Sequence, residues 1–192
     1  MSVRLLAAAF AIICAPLAAR SADDENPFKN AKVGDYATYK MSVKFAGTSL
    51  AGTSTQSVTA KTDTEATVKT TGVFEFMGNK QEIPAQEQKI DLTKPFDPTK
   101  VGGGGLPPGT DVKVEKGKEG KEKIKVGGKE YDCTWTIYKV TGKANEQAIT
   151  ADVKAWMSKE LPLAMVKMEM TADVAKMKME MTMELTESGN KK

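Results

Sequence analysis

In MKMEMTMEL, Met177 to Leu185, methionine or leucine occupies every second position, with Lys, Glu or Thr between. Composition alone favours a helix, because Met, Lys, Glu and Leu are all good helix formers. Geometry favours a strand. At about 100° per residue a helix puts Met177 and Met181 on one side and Met179 and Met183 on nearly the other, which leaves no coherent apolar face. In a strand, Met177, Met179, Met181, Met183 and Leu185 all line one face. The segment before it repeats the pattern with Val166, Met168 and Met170, so two neighbouring strands present a shared thioether-rich wall.

The same alternation runs through the chain, in short segments separated by turn residues, as in an antiparallel sheet with one wet face. In GDYATYKMSVKF, Tyr39, Met41, Val43 and Phe45 oppose Lys40, Ser42 and Lys44. Thr-rich strands follow at Thr53 to Lys61 and Glu65 to Phe76, then Gly78-Asn79 turns the chain into Lys80 to Leu92. Pro95, Pro98, Gly102 to Gly105, Pro107, Pro108 and Gly109 interrupt any regular element, giving a long loop at about 93–110. It reads as a flap over a cavity mouth. It is no phosphate loop, since Leu106-Pro107-Pro108 supplies neither the lysine nor the amides that such a loop needs.

Beyond the loop, Asp111 to Glu115 and Lys121 to Val126 are expected as two strands joined by a Lys/Gly/Glu turn. Gly127-Gly128 then makes a two-residue hairpin into Lys129 to Val140. There Tyr131, Cys133, Trp135 and Ile137 share a face opposite Asp132, Thr134 and Thr136, which points Cys133 at the core. Thr141 to Asn145 turns into a strand ending at Met157, Ser158 to Pro162 turns again, Leu163 to Met170 is a strand, and Ala172-Asp173 is the last turn. The sum is an all-β fold of about eight to ten strands. It is an antiparallel meander forming a strongly curved sheet or incomplete barrel, with little helix.

Arg4, the apolar run Leu5 to Ala15, Pro16 and the small residues after it read as a secretory signal peptide over 1–21, with cleavage between Ala19 and Ala22. That leaves 22–192 as a single β-rich domain in a secreted or periplasmic compartment. No segment is long and apolar enough for a transmembrane helix. With Cys14 in the leader, Cys133 is the one mature cysteine, and an intramolecular disulfide is excluded. The net charge of +3, with lysine and glutamate interleaved from Lys113 to Glu130, reads as a solvated surface and not as a nucleic-acid footprint.

The chain has no histidine. That excludes Ser-His-Asp and Cys-His catalysis and histidine-ligated zinc, and no catalytic residue, metal site or cofactor is assigned. Soft thioethers about 7 Å apart on one strand face could favour Cu(I). An alternating apolar strand is also what any sheet core needs, and methionine adapts readily to the wall of an apolar pocket.

VGGKEYDCTWTIYKV (Val126 to Val140), VKAWMSKELPLAMVKMEM (Val153 to Met170) and the opener VGDYATYK (Val33 to Lys40) resemble small uncharacterised secreted bacterial β-proteins. These are similar to the lipoprotein-carrier type of half-open β-barrel, in which an antiparallel sheet wraps an apolar cavity that holds acyl chains. The resemblance implies a carrier fold and assigns no ligand residue. The expected function is a non-enzymatic binding or carrier module for an apolar ligand such as a lipid or acyl chain. Met168, Met170, Met179, Met181 and Trp156 are the expected ligand contacts. Two alternatives stay open: an envelope structural protein pairing its edge strands with a protein partner, and a methionine-rich Cu(I)-binding protein.

Overall fold

The computed structural model describes residues 26–45, 47–76, 78–94, 111–144, 147–174 and 177–191. The leader assigned to 1–21 and the Gly/Pro-rich stretch from 95 to 110 lie outside the described residues. A short 3-10 turn, Pro27–Lys29, precedes nine strands: β1 Asp35–Phe45, β2 Thr48–Lys61, β3 Glu65–Phe76, β4 Asn79–Asp91, β5 Asp111–Val126, β6 Lys129–Ala144, β7 Gln147–Met157, β8 Met165–Val174 and β9 Met177–Asn190. All belong to one antiparallel sheet with the order β4-β3-β2-β1-β9-β8-β7-β6-β5.

The antiparallel meander is as expected from alternation. Among the described residues the sheet is neither closed nor strongly curled, and its ladder ends at β4 and β5. The β5–β6 hairpin tip lies against β9, where a β-carbon on Gly127 would sit 3.6 Å from the Thr186 carbonyl oxygen. That tip is the anticipated two-residue turn, with Gly127 and Gly128 at φ of 59° and 84°. Positive φ at both central positions is what a hairpin turn matching strand twist requires.

Several boundaries differ from expectation, among them the start of β2 at Thr48 and not Thr53, and of β8 at Met165 and not Leu163. The Lys/Gly/Glu segment is no turn: Gly117 and Lys118 form a bulge between the pairs Lys116↔Tyr138 and Glu119↔Thr136, and β5 runs on unbroken. A bulge inserts extra residues without ending the ladder, and the continuous partner strand β6 keeps both halves in one register. At the next turn, β6 extends to Ala144, past Val140. The last turn lies after Val174, because Met170↔Met181, Ala172↔Met179 and Val174↔Met177 pair the methionine faces of β8 and β9.

Open sheets expose two edges that invite pairing with other chains. Here β4 carries Pro84, which with Ala85 bulges out opposite Thr71, between Thr70↔Gln86 and Gly72↔Ile83. Proline is tolerated at such an edge bulge and removes a donor from it. Strand β5, DVKVEKGKEGKEKIKV, is charged at most positions. Both edges thus carry the features that discourage strand addition.

The segment before β1 ties one end of the sheet together. The Asn26 side chain accepts from the Phe28 N–H at 3.1 Å and donates to the Asp91 carbonyl at 3.1 Å. The Lys61 ammonium donates to the carbonyls of Lys29 and Ala31, each at 2.6 Å. Phe28, Ala31 and Leu92 thereby join the same contiguous core as the strand residues.

Candidate ligand face

The register shows how the methionines are assembled. One row crosses five strands as Gly52–Met41–Met183–Met168–Ala155, and the next as Leu50–Val43–Met181–Met170–Val153. A third row holds Phe45, Met179 and Ala172. With strands about 4.8 Å apart, these side chains touch laterally as well as along each strand. Met41, Met168, Met170, Met179, Met181 and Met183 are all between 0% and 5% exposed. We refer to this side of the sheet as the methionine face.

Four of the five expected ligand contacts, Met168, Met170, Met179 and Met181, therefore sit together. Trp156 does not join them. Its neighbours Ala155 and Met157 carry the methionine-face parity, and Trp156 pairs with Lys167 and Trp135 on the other side of the sheet. There it is 4% exposed under a cover of charged side chains. The Lys154 ammonium lies 4.6 Å from the Trp135 ring centroid and 4.3 Å from that of Trp156, and the Lys167 ammonium is 5.4 Å from Trp156. Such contacts are favourable because the ring face is electron-rich.

Carboxylates balance the two lysines. Lys154 pairs with Glu122 at 3.5 Å, and Lys167 with Glu169 at 2.9 Å and Glu184 at 3.4 Å. The Trp156 indole N–H donates to the Glu122 carboxylate. That hydrogen bond is the main cause holding the Glu122 carboxyl below its ordinary value of 4.5, with Lys154 adding to it. Trp156 is thus a packing anchor on the opposite face.

Cys133 is buried as expected, but by pairing with Glu122 and adjoining the Trp135 row it belongs to the tryptophan side and not to the methionine wall. Desolvation, with Glu160, Asp132 and Glu122 nearby, pushes its thiol up to about 11. Its Sγ donates to the Tyr131 carbonyl at 3.5 Å. A thiol held neutral in this way is a poor nucleophile.

Sequence reasoning missed the other half of the methionine face. On β2 the positions in line with Leu50 and Val58 are Gly52, Ser54 and Gln56, and opposite them on β3 stand Phe74, Gly72 and Thr70. Ser54 and Gln56 are buried, and the Ser54 hydroxyl oxygen has no hydrogen-bond partner among the described residues. Leaving such a group unpaired costs about 1–3 kcal/mol. On the opposite face the hydroxyls of Thr38 and Thr55 do meet, at 3.0 Å. The signal was available in the sequence, since SLAGTSTQSV breaks an apolar parity with small and polar residues at alternate positions.

Among the described residues no cluster of three or more His, Cys, Asp or Glu could hold a metal ion, and no helix is long and apolar enough to cross a membrane. Burial also sets how the sulfurs respond to oxidants, because methionine oxidation follows exposure. With dilute peroxide, peptide mapping should show Met157 and Met177, the half-buried pair, oxidised well before Met168, Met181 and Met183. Equal rates at Met157 and Met181 would mean that the wall is an open ladder.

No family model matches the chain, and no curated protein matches it. Solved structures similar to it include a protein described as exported, with a YmcC-like fold, from Bacteroides fragilis. It is 10% identical with a TM-score of 0.46, over 83% of this chain and 97% of that one. A protein described as a lipoprotein from Parabacteroides distasonis is 12% identical, with a TM-score of 0.44, over 86% of this chain and 100% of that one. An S-type phycobiliprotein lyase from Guillardia theta is 7% identical, with a TM-score of 0.38, over 86% and 90%.

Proposed function

We propose that this chain is a non-enzymatic binding or carrier module for an apolar ligand such as a lipid or acyl chain, acting in a secreted or periplasmic compartment. The observation that carries this reading is the methionine face itself: two lateral rows across β1, β9 and β8, Met41–Met183–Met168 and Val43–Met181–Met170, in which five of the six side chains are unbranched, polarizable thioethers. A face meant only to pack is served as well by branched residues with well-defined rotamers, whereas methionine reshapes around different apolar partners. Ligand uptake would exchange methionine–methionine contacts for methionine–ligand contacts, with affinity from burial of the ligand's apolar area.

The reading is tested by native mass spectrometry of the protein isolated from its own compartment, run as purified and after incubation with Cu(I). Excess mass of some hundreds of daltons, removable with organic solvent, is expected. A bare mass that gains copper stoichiometrically, or one that accepts neither copper nor added hydrophobe, contradicts it.

A further inference from the structure

We propose that the ligand on the methionine face carries an uncharged carbonyl group, as in an ester or amide, and that the buried Ser54 hydroxyl donates to it. This rests on the apolar-ligand reading above and adds the chemical class of the ligand's polar part. Ser54 is 1% exposed, its oxygen has no partner among the described residues, and the register places it between Tyr39 on β1 and Gly72 on β3. It stands one row from Met41 and Met183, so a ligand lying along the methionine rows ends beside it. Gln56 and Thr70, paired in the next row, extend the polar patch.

Charge narrows the class. On the methionine face of β1 from Ala37 to Phe45, of β2 from Leu50 to Val58 and of β3 from Ala66 to Phe74, the sole ionisable side chain is Tyr39. Burial raises the Tyr39 phenol well above its ordinary value, so it stays neutral, and its hydroxyl is directed to the Met165 carbonyl at 3.5 Å. A carboxylate or phosphate beside Ser54 would be buried without a counter-cation, which is strongly unfavourable. A neutral carbonyl needs only the one donor that Ser54 has free.

The test compares methyl palmitate, palmitate and hexadecane as probes for the delipidated full protein and its Ser54→Ala variant at pH 8, with native mass spectrometry for binding and thermal melting for stability. The wild type should bind methyl palmitate roughly fivefold more tightly than hexadecane, the size of one net hydrogen bond, and Ser54→Ala should erase that preference. Removing an unsatisfied hydroxyl should also raise the unliganded melting temperature by about 3 °C. Equal binding of ester and alkane to both proteins overturns the Ser54 subsite while leaving the apolar-ligand reading intact. Binding of none of the three overturns that reading too. Tighter binding of palmitate than of its ester refutes the uncharged class, and a lowered melting temperature in Ser54→Ala shows that the hydroxyl was already held.

Discussion

Met183→Lys should destabilise the protein by about 4 kcal/mol, because a charge replaces a fully packed thioether with no partner for it. Met183 pairs with Met41 on one side and Met168 on the other, and all three are buried. Total stabilities of about 5–15 kcal/mol make this loss enough to unfold a large fraction of a marginal domain. Two companions isolate the cause. Met183→Leu keeps volume and polarity and should cost less than about 1.5 kcal/mol. Met177→Lys places the same charge on the same strand at a half-buried site, where the ammonium can reach water, and should cost little. Urea unfolding of the three variants measures the order, and equal losses at positions 177 and 183 would contradict a buried wall.

Gly52→Val sets two principles against each other. Strand propensity favours valine by up to about 1 kcal/mol, so from sequence alone the exchange is stabilising. The structure reverses the sign. A β-carbon at position 52 would sit 2.5 Å from the Val73 carbonyl oxygen and 2.7 Å from the Phe74 ring, and the first of these is backbone that cannot swing aside. Overpacking of this kind costs about 1–3 kcal/mol, and valine adds two methyl groups where even one carbon does not fit. A net loss of about 2 kcal/mol is expected. It should appear as a lower urea midpoint with an unchanged slope, and a raised midpoint would show that β2 and β3 stand further apart than described.

Much of the architecture was legible because alternation is a local signal with a long reach. The period-two pattern of MKMEMTMEL outweighed the helix propensity of its residues, and the pairing of β9 with both β1 and β8 shows why: each thioether packs laterally in a row, which a helix cannot offer. Turns were read less well. Gly117 and Lys118 look like loop chemistry, yet a bulge uses the same residue types, and only the partner strand distinguishes the two. Strand order is likewise invisible locally, since the β1–β9 pairing joins positions near opposite ends of the chain.

The candidate face was half legible. Met168, Met170, Met179 and Met181 follow from parity along their own strands. Trp156 was misplaced because an aromatic in an apolar neighbourhood suggests a cavity, although counting from Val153 through Ala155 to Met157 already puts it on the far side, among Lys154 and Lys167. Ser54 and Gln56 were passed over for the opposite reason: polar residues in a Thr-rich strand read as solvent-facing. Their burial depends on which face of β2 is turned to the core, a tertiary fact that the strand's composition does not carry.

The central claim is that the methionine face is where the ligand lies, and the most direct measurement is nuclear magnetic resonance of protein with 13C-labelled methionine ε-methyl groups, titrated with methyl palmitate. Intermolecular cross-relaxation from the acyl chain to the methyl groups of Met168, Met170, Met179 and Met181, with none to the Trp156 indole N–H, is the result expected. Cross-relaxation confined to Trp135 and Trp156, or methionine methyl signals indifferent to the probe, would make the methionine face a closed core and contradict the account.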